Sequence, residues 1–64
     1  MYYIKVAILG AKQTTYIAED EYGLYTTTNL YDSKLWYFSE IPWERIRKFL
    51  SLVNVEELTA KWSR

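Results

Sequence analysis

The sequence contains no cysteine and no histidine, and these two absences exclude most metal and nucleophilic chemistry. Without cysteine there is no disulfide frame, no thiolate nucleophile and no cysteine-based metal site. Without histidine, zinc centres and imidazole acid–base catalysis are excluded as well. No other catalytic or ligand signature is visible in the sequence, so we predict no cofactor, no metal site and no catalytic residue, and we expect a non-enzymatic protein.

An excess of one sign of charge is also absent, because eight basic and eight acidic residues give a formal net charge of +0. Duplex DNA binders usually carry a basic excess and DNA mimics an acidic one, so both classes are disfavoured. No apolar run approaches the roughly 20 residues needed to span a bilayer, and no signal peptide is visible. We expect a soluble protein without a membrane partner, located in the cytoplasm, or in the host-cell cytoplasm if the chain is viral.

Aromatic residues are abundant: the 64 residues include three Trp, seven Tyr and two Phe. A chain of this length forms one domain, which we assign to residues 1–64, and buries only about 60% of its unfolded surface. Large aromatic side chains allow such a short chain to bury enough apolar area to fold.

The clearest periodic segment, 41–53, predicts an amphipathic helix. Its apolar residues recur at i, i+3, i+4 and i+7. These residues are Ile46, Phe49, Leu50 and Val53. Ser39 is predicted as the N-cap, since Pro42 then falls in the first turn, where a missing N–H costs nothing. A helix of about three to four turns is marginal alone in water, so other segments must cover its apolar stripe.

Three segments before this helix predict strands. Segment 2–9 alternates β-branched and aromatic residues, and segments 14–19 and 24–28 have the same character. The turns between them are predicted at 10–13 and 20–23, each of which contains a glycine. Together these segments indicate an antiparallel meander.

Two further segments complete the predicted fold. Segment 35–38 indicates a short aromatic strand or extended lead-in to the helix. In segment 55–62, Asn54 and Glu57 could cap a second short helix, whereas strict alternation of apolar and polar residues favours a strand. The predicted architecture is α+β, with a small, mainly antiparallel sheet of about three to five strands and one amphipathic helix packed on one face.

Strand alternation also predicts which side chains face the helix. The predicted inner residues are Ile4, Val6, Ile8, Tyr16, Leu24, Leu35, Leu58 and Trp62. Their neighbours Tyr3, Tyr25 and Trp36 would then point to the other, open face of the sheet. Aromatic pairs can simply hold a small sheet together, but an exposed aromatic face is also typical of a partner site.

The helix adds a basic ridge to these candidate partner-binding residues. Arg45, Arg47 and Lys48 could contact phosphate or an acidic partner. The alternative is a solvated helix face, since Glu44 precedes Lys48 by four residues.

Segment 26–40, TTTNLYDSKLWYFSE, gives a resemblance to a known group of proteins. A strand ending in Thr-Thr, followed by Asp-Ser-Lys-Leu-Trp and a capped amphipathic helix, resembles small β-β-β-α proteins encoded by bacteriophages and other mobile elements. The resemblance extends over residues 1–53. It implies a stoichiometric binder that blocks a host protein, for example a defence nuclease such as a CRISPR effector.

The sequence therefore leads to three hypotheses. The first is a non-enzymatic protein-binding module, as an inhibitor of a host factor would be. The second is a single-stranded nucleic-acid-binding protein that stacks bases on sheet aromatics, which the neutral charge does not favour. The third is a self-associating structural subunit, such as a homodimer.

Overall fold

Four antiparallel strands form one sheet. The computed structural model describes residues 1–63. The strands are β1 (Tyr2–Ile8), β2 (Thr15–Asp20), β3 (Gly23–Thr27) and β4 (Val55–Trp62), and the helix α1 is Trp43–Phe49. The strand order is β3-β2-β1-β4, so β1 lies inside the sheet and pairs with β4. The α+β prediction is confirmed, and segment 55–62 is a strand.

Glycines permit both turns of the β1-β2-β3 meander. Gly10 has φ 85° and Gly23 has φ 124°, a region that favours glycine. In the second turn, the backbone N–H of Tyr22 donates to the Asp20 carboxylate at 2.8 Å. Both turns lie where the sequence predicts them.

The hydrophobic core lies between the sheet and α1. Its buried members are Ile4, Val6, Ile17, Trp36, Ile41, Ile46 and Leu50. Ile8, Leu24 and Leu58 pack against this core from the same face, as predicted. Strand alternation therefore identifies most of the inner face of the sheet.

A segment from the β3–α1 connection is inserted between β1 and β2. These strands pair only at Lys5↔Tyr16 and Val6↔Thr15. Further along, the Tyr2 N–H donates to the Trp36 carbonyl at 2.7 Å, and the Trp36 N–H donates to the Tyr2 carbonyl at 2.9 Å. The connection also reaches β2, because the Lys34 N–H donates to the Ile17 carbonyl at 3.1 Å.

The insertion places Trp36 on the helix side of the sheet. Cross-strand partners project to the same face, so Trp36 follows its partner Tyr2 towards the core. Its side chain is only 7% exposed. The prediction that Trp36 lies on the open face is therefore wrong, and the alternating neighbour Leu35 points outward instead.

Two other residues predicted in the core are placed differently. Tyr16 pairs with Lys5, whose side chain points away from the helix, so Ile17 occupies the inner position. Trp62 projects to the helix side but is 65% exposed, with its ring edge-to-face with Tyr2 at 5.1 Å. It lies at the end of an edge strand, where α1 does not cover it.

The helix is shorter than predicted. Ser39 lies in a 3-10 helix, Phe38–Glu40, and α1 starts after Pro42, which supplies no side-chain cap hydrogen bond. At the other end Leu50 leaves the helical conformation, and the Val53 N–H donates to the Leu50 carbonyl in a turn. As a result Ile46 and Leu50 are buried, whereas the rest of the predicted stripe is partly exposed.

Candidate functional site

The side of the sheet opposite α1 carries a group of tyrosines. Lys5 pairs with Tyr16, and Tyr25 pairs with Ala18, two residues along β2 from Tyr16. Because residues two apart on a strand share a face, Tyr3 also projects to this side. We define the tyrosine face as Tyr3, Tyr16, Tyr25 and Leu35.

Two of these rings contact each other in the middle of the sheet. The rings of Tyr3 and Tyr16 meet edge-to-face, with centroids 5.7 Å apart and planes at 71°. Both residues are half-buried, although neither belongs to the hydrophobic core. Tyr25, on the edge strand β3, is 39% exposed. The tyrosine face therefore combines a fixed aromatic centre with a more exposed ring at its border.

Lysine side chains flank the aromatic pair. Lys61 lies directly across from Tyr3, and Lys5 shares the face with Tyr3 on β1. Glu57 lies on the same face further along β4, where its carboxylate accepts a hydrogen bond from Thr59 Oγ1 at 3.0 Å. The nearest charged residues to Tyr3 in the pairing register are thus both basic, although the whole chain is neutral.

A shallow depression of about 190 Å³ adjoins Tyr3. It is lined by Tyr3, Leu30, Tyr31, Ser33, Leu35 and Ser63. Tyr31 is 95% exposed, and a 3-10 helix, Leu30–Asp32, presents it at the rim. This helix is held by its cap, because the Tyr31 N–H donates to the Asn29 side chain at 3.0 Å. Four of the six lining residues, Tyr3, Leu30, Tyr31 and Leu35, are aromatic or aliphatic.

The structure separates the predicted partner-binding residues. Tyr3 and Tyr25 lie on the tyrosine face, and Trp36 is buried in the core. The three basic residues Arg45, Arg47 and Lys48 lie on α1, which packs on the opposite face of the sheet. They cannot share one contact surface with Tyr3.

Two of the basic residues contact neighbouring side chains. The Arg45 guanidinium forms an ion pair with Glu19 at 2.7 Å, which ties α1 to β2. The Arg47 guanidinium lies over the Trp43 ring, 5.9 Å from its centroid. Both basic side chains remain exposed, and each contact contributes about 1 kcal/mol or less to stability.

Four residues of this face were not predicted as site residues: Tyr16, Leu35, Lys5 and Lys61. Lys5 could have been found from the sequence, because it lies two residues from Tyr3 on β1 and therefore shares its face. Tyr16 and Leu35 require the strand register, which the pairs Lys5↔Tyr16 and Tyr2↔Trp36 determine.

Within residues 1–63, no three acidic side chains are grouped so that they could hold a metal ion. Over the same residues, no helix has both the length and the apolar character required to cross a membrane. Comparison of the chain with protein-family models, curated proteins and solved structures returns no match.

Proposed function

We propose that this chain is a non-enzymatic protein-binding module and that the tyrosine face is its partner site. The observation that carries the proposal is the Tyr3–Tyr16 pair, which lies on the sheet face outside the hydrophobic core. Rigid aromatic side chains bury much area on binding and lose little conformational entropy, so they are common at the centres of protein interfaces. Exposed apolar residues at the rim, Leu30 and Tyr31, extend this surface.

The depression beside Tyr3 indicates the chemistry of the partner. Its volume of about 190 Å³ is below the roughly 300–1,000 Å³ typical of small-molecule pockets. One protruding apolar side chain of a partner protein suits it better than a free metabolite. Lys5 and Lys61 beside the same ring favour a partner with carboxylates around that apolar residue.

The finer form of the proposal is inhibition of a host factor by stoichiometric binding. It rests on the resemblance of segment 26–40 to phage-encoded proteins. A binder of this kind acts by covering a surface of its target, so it needs no catalytic group. The tyrosine face provides a surface suited to that role.

Loss of binding after substitution of Tyr3 tests this proposal. We expect Tyr3→Ala to weaken binding to a partner by about 2 kcal/mol or more, roughly 30-fold, because Tyr3 lies at the centre of the face. Affinity capture from a bacterial lysate, followed by titration of the captured protein, measures the effect.

Tyr22→Ala is the matched control, since Tyr22 is exposed in the β2–β3 turn away from the depression. The far-ultraviolet circular dichroism of each variant verifies that the sheet is intact. Equal affinities of the wild-type protein and Tyr3→Ala for the partner would show that the tyrosine face is not the partner site.

A second candidate function is single-stranded nucleic-acid binding. The observation that favours it is that Tyr3 and Tyr16 lie on the two inner strands, with Lys5 and Lys61 beside them. Base-stacking proteins combine central aromatics with nearby positive charge in this way.

Titration with labelled oligonucleotides separates the two functions. Nucleic-acid binding through both lysines predicts an affinity that falls with salt, with a log–log slope of about −1.4. The protein-binding proposal predicts no saturable binding at physiological salt. Salt-sensitive binding that Tyr3→Ala abolishes would favour the second candidate.

A further inference from the structure

β4 is an edge strand, and among residues 1–63 no other strand pairs with the outer side of its backbone. Tyr2 exchanges both of its backbone hydrogen bonds with Trp36, so it cannot also exchange them with Trp62 opposite. Antiparallel pairs alternate between bonded and non-bonded. The backbone N–H and C=O groups of Leu58, Ala60 and Trp62 therefore point away from β1, towards the open edge.

The side chains along this edge have a self-complementary charge pattern. On the tyrosine face β4 presents Glu57, Thr59 and Lys61 in order, which gives negative, neutral and positive positions. In an antiparallel copy of the same strand placed alongside, the order of these charges is reversed, so that each charge can face one of opposite sign. We propose that two copies of this chain form a homodimer by antiparallel pairing of their β4 strands about Thr59.

In this register the outward-pointing backbone groups and the two charged side chains of the pattern find suitable partners. Leu58 and the partner's Ala60 form a bonded pair through their outward-pointing backbone groups, and the two-fold axis repeats it. Glu57 lies opposite the partner's Lys61, so the two-fold axis generates a pair of opposite charges on each side of Thr59. Such cross-strand pairs favour one alignment over its competitors.

Alternative registers lose these charge pairs. Two-fold pairing about Glu57 places two carboxylates together, and pairing about Lys61 places two ammonium groups together. Pairing about Leu58 or Ala60 leaves both charges opposite uncharged residues. Since like charges directly opposite are destabilising, the side chains select the register about Thr59.

The helix side of the edge supplies apolar area for the same interface. A groove of about 260 Å³ between α1 and β4 is lined by Arg47, Leu50, Val53, Val55 and Leu58. Pairing about Thr59 directs the partner's Trp62 past Leu58 towards Val55, at the mouth of this groove. Trp62 is 65% exposed in one copy, so its burial there would contribute a central aromatic contact.

The dimer would join two four-stranded sheets into one continuous sheet. Both tyrosine faces would then lie on the same side of that sheet. A dimer would thus present two copies of the candidate partner site in a fixed relation. The inference concerns β4 alone and stands whether or not the tyrosine face binds a protein.

Charge reversal at the two ends of the pattern tests the dimer. Glu57→Lys alone places two ammonium groups opposite each other, because the partner's Lys61 faces this position. Lys61→Glu alone places two carboxylates opposite each other in the same way. We expect each variant to raise the dimer dissociation constant on the order of tenfold to a hundredfold. Sedimentation equilibrium across a concentration series measures the constant.

Mixing the two variants is the decisive measurement. One variant then carries two lysines at these positions and the other two glutamates, so every cross-strand pair is again opposite in charge. We expect the equimolar mixture to form a heterodimer with a dissociation constant within about threefold of the wild-type value. Recovery of association on mixing also shows that both variants are folded.

Glu21→Lys and Lys12→Glu are the matched controls, because they make the same changes in net charge at exposed positions outside β4. Both are expected to dimerise like the wild type. The proposal is overturned if the wild-type chain stays monomeric up to about 1 mM. It is equally overturned if the single variants dimerise normally, which would place the dimer interface elsewhere, or if their mixture fails to associate.

Discussion

Replacing Trp36 with Ala is expected to lower the free energy of unfolding by about 3–5 kcal/mol. The side chain belongs to the buried core, and its backbone exchanges two hydrogen bonds with Tyr2. Its removal leaves a cavity in the core between the sheet and α1. Total stability for 64 residues is about 3–10 kcal/mol, so the variant loses much or all of it. Urea denaturation followed by circular dichroism measures the loss.

Trp62→Ala is the matched control for this prediction. It removes the same chemical group from a position that is 65% exposed, where the ring contacts Tyr2. The expected cost in the monomer is about 1 kcal/mol, the typical value of an aromatic pair. The two variants are compared at low protein concentration, so that association does not contribute. Equal costs for both would show that Trp36 is not part of the core.

Ile46→Ala is expected to have the second-largest effect, a loss of about 2–5 kcal/mol in the free energy of unfolding. Ile46 is fully buried and connects α1 to the inner residues of the sheet. With seven residues, α1 is too short to be stable without this contact. We therefore expect the loss of helical signal to accompany the loss of the sheet in a single transition.

Leu52→Ala is the control for Ile46→Ala. Leu52 follows α1 and is 98% exposed, so its removal should change the free energy of unfolding by no more than about 0.5 kcal/mol. Denaturation curves of the two variants are compared under the same conditions. A large effect of Leu52→Ala would mean that an interface outside the monomer covers this residue.

Strand positions follow from the sequence because alternation and turn chemistry act locally. Glycines with positive φ lie at Gly10 and Gly23, and the strands between them are found where the pattern places them. β4 is also predicted correctly, because apolar and polar residues alternate within segment 55–62. These features depend on residues close together in the chain.

The errors in the sequence prediction arise where non-local pairing sets the register. Tyr16 and Ile17 are both apolar enough to face inward, as are Leu35 and Trp36, so alternation alone cannot choose between them. The pair Lys5↔Tyr16 makes the choice in β2, and the hydrogen bonds between Tyr2 and Trp36 make it in the connecting segment. A shift of one residue exchanges the two faces, which is how Trp36 moves from the predicted partner site to the core.

The candidate site was therefore only partly predictable. Tyr3 and Tyr25 lie on the face that strand alternation assigns to them. The sequence does not give the position of α1 on the sheet. It therefore could not show that the basic residues of α1 lie on the face opposite Tyr3 and Tyr25. The sequence overestimates the length of α1, because the helical spacing of apolar residues continues to Val53, whereas the backbone leaves the helix at Leu50.

The pairing of β1 with β4 has a consequence for how the chain acquires its fold. The register joins Tyr2 to Trp62, and the Ser63 N–H donates to the Met1 carbonyl at 2.8 Å. β1 is thus synthesised well before β4, the edge strand with which it pairs. Ribosomal exit of β4 must precede completion of the sheet, and the high contact order of this pairing predicts slower folding than that of helical domains of similar size.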